Sequence, residues 1–317
     1  MYQQPSRKVE FRRKRDFGQI FTDSFKYLKF NFKGIMGAVL LLPGPLLLIA
    51  GGFNGYLQSI SSNPSSFLTM GGVSNMYDAM SSIFMVMLPY LFFMFLASVV
   101  YHAVVNRYLI LSQQNPDGET IGIQELMKYL PKDAWRLFYN YLLLSLVSLV
   151  VMIALVILMF IPILGVLMLV VGILLVGPNL VYVITNSSYL VLRDEILITQ
   201  AFMKTWRYMR GNYWYTWLLL VVAYLIVSIA SSIFALPQII LSLVNTFTRF
   251  NPNNFQYDGG GDNHSTLFVI FGMIAVLGQF IVMPLLNIFT TINYHSHEEE
   301  EEGTGLKQRI DEIGINN

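Results

Sequence analysis

The sequence predicts an all-α, polytopic membrane protein with six transmembrane helices, and three observations predict it. Of the 317 residues, 55% are hydrophobic and only 12% charged, about half the charged share of an ordinary soluble domain. Apolar runs of about 20 residues, enough to cross roughly 30 Å of hydrocarbon, recur near 34–53, 80–105, 138–160, 164–190, 214–236 and 266–294. Basic residues fall in alternate loops. Nine precede the first span, four lie between the second and third and four between the fourth and fifth, whereas the first–second and third–fourth connections hold none. Arg249 lies alone between the fifth and sixth, and Lys307 and Arg309 follow the last. Cations stay on the cytoplasmic side, so both termini and these basic loops are expected there.

Taken in order, residues 1–33 form a basic amphipathic segment. In DFGQIFTDSFKYLKFNF, Phe17, Ile20, Phe21, Phe25, Leu28 and Phe32 fall on one helical face and Lys26, Lys29 and Lys33 on another. Such a helix is expected to lie in the interface plane before turning into the membrane. No small-residue cleavage site follows a short apolar core, so the first span is expected to stay as an anchor. Pro43-Gly44-Pro45 is the least regular place in that span and the first choice for a bent or re-entrant segment. The third and fourth spans are joined by FIPILG, whose Pro162 and Gly165 suit a tight hairpin. Between Leu137 and Leu192 there is no Asp, Glu, Lys or Arg.

The connection 54–79 is rich in Ser, Asn and Gly; in 249–265 Asp258 and Asp262 flank a glycine run without the D-x-D-x-D-G spacing of a calcium loop, so the latter reads as a flexible loop. The six-helix domain 34–294 is followed by an acidic tail, 295–317, with Glu298–Glu302 expected to be solvated or to meet the basic run Arg12–Arg15. Leu306, Ile310 and Ile313 make an apolar stripe too short for a free helix, which is expected to dock.

A unit recurs. WRYMRGNYW (206–214) crowds Trp, Tyr and Arg at the mouth of the fifth span, as expected where aromatic rings sit at headgroup level and cations reach phosphate. FKYLKFNF (25–32) repeats it in register, and DAWRLFYNY (133–141) is a looser copy. The residues expected to touch anionic headgroups are Lys26, Lys29, Arg136, Trp206, Arg207, Arg210 and Trp214. The even spans share a proline (Pro89, Pro178, Pro284) followed nine residues later by Ser98, Ser187 and Asn293, with Tyr101, Tyr189 and Tyr294 close behind. Three parallel copies of interfacial helix, odd span and even span are the predicted architecture.

Little in the chain suggests catalysis. There is no cysteine, which removes thiol nucleophiles, thiolate metal sites and disulfides. The spans lack the ionisable groups that mark ion-coupled carriers or intramembrane proteases; His102, near a helix end, is the one titratable side chain of its type inside them. Ser98, His102, Asn186, Ser187, Asn287 and Asn293 have two readings: interhelical hydrogen bonding, or a polar vestibule open to the cytoplasm. His295 and His297, two apart and without a defined third ligand, do not define a metal site. No catalytic residue, cofactor or metal is assigned, and nucleic acid is not an expected partner.

The elements DFGQIFTDSFKYLKFNF, AFMKTWRYMRGNYW and EGTGLKQRIDEIG resemble a group of six-span bacterial membrane proteins similar to the membrane domain attached to some glycerophosphoryl diester phosphodiesterases and to YciC-like proteins. The resemblance covers nearly the whole chain and implies a helical inner-membrane domain without an assigned catalytic residue. After Tyr294 only a short tail remains, so no phosphodiesterase domain is expected. Two functions are expected to compete: a non-enzymatic inner-membrane subunit or scaffold that grips anionic lipid headgroups and a membrane or cytoplasmic protein partner, and a carrier or channel for a lipid or other amphipathic molecule. An intramembrane enzyme has no residue constellation behind it.

Overall fold

A computed structural model describes residues 9–61, 73–115, 121–159, 164–249 and 265–303. Every element among them is helical: α1 (Phe17–Leu41), α2 (Gly44–Ser61), α3 (Val73–Gln114), α4 (Ile123–Met159), α5 (Leu164–Arg193), α6 (Ile198–Gly211), α7 (Tyr213–Arg249), α8 (Ser265–Val282) and α9 (Pro284–Glu302). Four stretches are long and apolar enough to cross a membrane: Ile83–Gln114, Val170–Arg193, Tyr213–Phe247 and Ser265–Glu302. A fifth arises when α1 and α2 count as one span broken by a 62° bend. That bend falls at Leu42-Pro43, where the sequence places it, because proline cannot continue the hydrogen-bond ladder. The third expected span lies in α4, which runs to the edge of the described residues. The FIPILG turn from Phe160 to Ile163, the glycine-rich 250–264 loop and the stripe after Gly303 lie outside the described residues.

Local chemistry sets the helix limits. Asp16 caps α1: the Gln19 amide donates to Asp16 Oδ1 at 2.8 Å while the Gln19 side chain accepts from the Asp16 amide at 3.3 Å. This reciprocal pair satisfies two otherwise unmatched donors. Among the described residues, two of the prolines singled out above stand at helix breaks. Pro43 lies in the α1–α2 break, and Pro284 opens α9 as its first residue, where its missing N–H costs nothing. Pro89, Pro178 and Pro237 sit inside continuous helices. At Pro178 the repair is visible. Proline cannot donate to the carbonyl four residues back, Leu174, and the Trp217 indole N–H supplies that bond at 2.8 Å. Tyr213 O–H donates to the next carbonyl, Leu175, at 2.9 Å. In hydrocarbon an unmatched carbonyl costs several kcal/mol, so part of the aromatic cluster at this end serves the backbone of its neighbour.

The interfacial segments differ from expectation in two ways. Only the third copy is a separate helix: α6 ends at Gly211 and α7 starts at Tyr213, with Asn212 donating its amide to Met209. The first and second copies run without interruption into α1 and α4. The buried face of α1 also coincides only in part with the expected apolar face, of which Phe17, Phe21 and Leu28 are half-buried. Ile20, Ser24, Tyr27, Ile35 and Ala38 are buried, whereas Phe25 and Phe32 are exposed beside the exposed Lys29. Helical spacing marks an apolar stripe, but in a bilayer an apolar stripe can face lipid and a mixed one can face protein.

The described chain forms two compact units. One takes in the residues up to Ala38, those from His102 to Val227 and those from Pro284 onward; the other is Val39–Tyr101 with Ser228–Met283. In the second, α2 and α8 approach until backbone touches backbone. A Cβ on Gly51 would stand 2.6 Å from Met273 Cα, one on Gly272 would stand 2.6 Å from Gly55 Cα, and one on Gly55 would strike the Phe268 carbonyl. Gly51 and Gly55 are four residues apart, the small-xxx-small spacing that lets membrane helices gain packing where no hydrophobic force acts between them. Gly278 gives similar room to the Phe234 ring.

Candidate functional site

The first unit buries a polar and ionic centre built from the ends of α5 and α9, the inner face of α6 and the arm before α1. Two stripes prepare it. On α5, Asn179, Tyr182, Asn186, Tyr189 and Arg193 recur at helical spacing. On α9, Asn287, Thr291, Tyr294, Glu298 and Glu302 do the same. Residues at these intervals share one face, so each helix turns a polar ridge inward at this end.

Glu298, 4% exposed, is the hub. Arg193 grips it as a fork, Nη2 to Oε1 at 2.7 Å and Nη1 to Oε2 at 3.0 Å. Lys204 of α6 reaches Oε1 at 3.3 Å, and His295 Nδ1 lies 3.0 Å from Oε2. Asp194 takes the remaining edge of the guanidinium, 2.6 Å from Nε. Two cations thus face two carboxylates, and each guanidinium nitrogen meets a carboxylate oxygen. A relay continues outward: His295 Nε2 is 3.0 Å from the Tyr189 hydroxyl, which exchanges hydrogen bonds with Gln113 of α3. The bidentate geometry is the strong form of charge-assisted hydrogen bond, and at this depth it holds the ends of α5, α6 and α9 in one register.

The acidic run is therefore not a solvated tail from its first residue. Helix α9 runs through the expected boundary at 294/295 to Glu302, burying His295, Ser296, His297 and Glu298. Its next turn meets the basic segments, as the sequence allowed: Lys14 pairs with Glu300 at 2.6 Å, Arg207 lies 3.8 Å from Glu301, and Tyr208 donates to Glu302. Burial, reinforced by the Glu302 carboxylate, holds the Tyr208 hydroxyl well above the usual phenol range, so it remains a donor. Arg15 turns inward, bonding Asp23 at 2.7 Å and the Phe11 carbonyl at 2.8 Å, while its amide donates to Ser296. A second buried fork joins α3 to α4, Arg107 to Asp133 with both contacts at 2.6 Å.

The expected polar set divides. Asn186, Ser187, Asn287 and Asn293 are fully buried in this unit; His102 is half-buried beside the Tyr141 ring; Ser98 belongs to the other unit. Several of these atoms lack a hydrogen-bond partner: both amide ends of Asn293, the Asn186 oxygen, the Asn287 nitrogen and the Ser187 hydroxyl, joined by both ends of Asn106 and Asn179. Each such group in a dry interior costs about 1–3 kcal/mol, which makes this the least satisfied part of the core among the described residues.

Most of the expected headgroup residues lie outside. Trp206, Arg207, Arg210 and Lys29 are exposed, as is Trp214 at 64%. Lys26 and Arg136 are half-buried, and Arg136 donates to the Val191 carbonyl and lies 3.6 Å from Glu195. Glu195, held by a hydrogen bond and charge from Lys132 and then by the charge of Arg136, titrates below the usual carboxylate range. His295 and His297 do not converge: His297 faces Asn212 and Thr216, each at 3.2 Å. Among the described residues no group of three or more potential ligands could hold a metal ion.

Sequence reasoning assigned no buried ionic role to Glu298, Arg193, Arg15 or Asp133. The signal for Glu298 was present in the continuation of the Asn287–Thr291–Tyr294 spacing. No known protein family, no curated protein and no solved structure matches this chain.

Proposed function

We propose that the chain is a non-enzymatic subunit or scaffold of a bacterial inner membrane, with six crossings and both termini in the cytoplasm, that anchors on anionic headgroups and engages a protein partner. The observation that carries this reading is the division of labour among its charges. Acidic side chains and several cations are spent on one another around Glu298, while Lys29 and Arg210 remain outside beside exposed Trp206, Trp214 and Phe32, as does Arg207, whose side chain stays 66% exposed at its 3.8 Å approach to Glu301. Exposed cations interleaved with large rings suit the headgroup layer, where each Lys or Arg contributes about 1 kcal/mol with anionic lipid. Transferring the protein from neutral to phosphatidylglycerol nanodiscs should therefore raise its stability. In the Trp206→Ala/Arg207→Ala/Arg210→Ala variant that gain should shrink by roughly 2 kcal/mol, the share of two arginines. An unchanged gain would remove headgroup anchoring, and purification in mild detergent that always returned the chain alone would remove the partner.

A second reading, a carrier for an amphipathic molecule, is favoured by the unmatched amides of Asn106, Asn179, Asn186, Asn287 and Asn293. Those groups are closed off here, so transport requires the centre to open. The natural chain has no cysteine, which makes Ser187→Cys a clean reporter. Under this reading it reacts with a small membrane-impermeant thiol reagent in native membranes; a thiol that stays unreactive while denatured protein labels fully would exclude such opening.

A further inference from the structure

The second unit holds a cavity of about 350 Å³ framed by α2, α3, α7 and α8. Most of its named lining is polar, with Asn54, Ser228, Ser231, Ser232, Gln238 and Gln279 contributing amides and hydroxyls, and no lining residue carries charge. This is an unusual place for them. Ser228–Gln238 is the middle of the span-length stretch Tyr213–Phe247, and Gln279 lies in another, Ser265–Glu302. Gln238 is 4% exposed, and its Nε2 has no hydrogen-bond partner; nor has the buried Ser231 hydroxyl. Leaving such donors unmatched is unfavourable in any apolar medium, and an apolar residue would serve packing better. On the same helix Ile229 and Ile233 are exposed at 69% and 63%, so the helix that supplies Ser228, Ser231, Ser232 and Gln238 also presents large apolar side chains outward.

We infer that this cavity binds an uncharged amphiphile whose amide or hydroxyl head is held by Gln238, Ser231 and Gln279 while its hydrocarbon tail extends along the outer face of α7. The volume falls in the range of small-ligand sites. A charged head would meet no counter-charge from the lining. A side-chain amide offers both donors and an acceptor, which matches a neutral amide or hydroxyl. The inference does not rest on headgroup anchoring, which uses other residues in the other unit.

Equilibrium binding of radiolabelled decanamide to the full chain in nanodiscs, corrected for empty nanodiscs, tests it, with decanoate and acetamide as competitors. One saturable site per chain is expected, with decanoate and acetamide each competing at least about tenfold more weakly, a difference of one or two hydrogen bonds or of the tail. Gln238→Leu and Gln279→Leu should each weaken decanamide about tenfold. Gln238→Leu should leave the ligand-free protein as stable or more so, because it removes an unmatched donor; that outcome separates a binding role from a structural one. Absence of a saturable site, equal competition by decanoate, or equal competition by acetamide would each overturn the proposal. So would dissociation of an oligomer in Gln238→Leu, which would make the polar lining a helix–helix interface. If Gln238→Leu fails to fold, the Gln279→Leu affinity decides.

Discussion

Glu298→Ala lowers the stability of the folded protein by about 3–5 kcal/mol, the expected effect of removing one partner from a buried ion pair. The side chain is 4% exposed and takes both ends of the Arg193 fork, Lys204 and His295. Its loss leaves Arg193 with Asp194, at 2.6 Å, and Lys204 with two looser contacts, Asp194 at 3.8 Å and Glu302 at 3.9 Å. The cost is the desolvation of uncompensated charge rather than the worth of the pair. Removing the charge as well should therefore recover most of the loss: Arg193→Met with Glu298→Leu is expected to be markedly more stable than Glu298→Ala alone. Reversible unfolding in lipid nanodiscs provides the measurement. A loss under about 1 kcal/mol for Glu298→Ala would show that the hub is no more than a surface pair.

Gly55→Leu is expected to cost about 3 kcal/mol or more, the upper end for overpacking, and to separate α2 from α8. The obstacle is backbone, since a Cβ at Gly55 strikes the Phe268 carbonyl and one at Gly272 stands 2.6 Å from Gly55 Cα. No rotamer change relieves that contact; the helices must move apart and lose the packing that joins them. Gly172 of α5 is the comparison, because a Cβ there meets nothing within 4 Å. Gly172→Ala should instead stabilise the helix by about 0.5–1 kcal/mol through backbone entropy. A cross-link between Gly52→Cys and Val269→Cys, on α2 and α8, would follow the separation directly, since a Cβ at Gly52 stands 3.9 Å from the Val269 side chain. Equal effects of the two glycine changes would show that close approach is not what Gly55 is for.

The bend at Pro43 was legible because proline punctuates a ladder of local bonds. Four of the six expected spans, and a fifth if α1 and α2 count together, were legible as helices long and apolar enough to cross a bilayer, because about 20 apolar residues have few other uses. The exposure of Trp206, Trp214 and Arg207 was legible too, since their chemistry suits a boundary rather than a core. The inner face of α1 was not, because Phe25 and Ile20 are both apolar and only the neighbouring helices decide which of them meets protein. Glu298 was misread for a related reason. A run of five glutamates has one composition throughout, and what distinguishes its first member is the position of Arg193, 105 residues earlier in the chain. The pairing of Gly51 and Gly55 with Gly272 likewise appears only when two distant segments meet.

The sequence by itself determined the solvent, the approximate helices and the kinds of side chain placed at their ends, because these follow from local hydrophobicity and backbone chemistry. Only the tertiary structure decided which polar groups became a saturated ionic lock around Glu298 and which were left unmatched beside the cavity at Gln238. Hydrogen bonds and ion pairs act over a few ångströms between residues far apart in the chain, and no pattern along one strand of sequence specifies their partners.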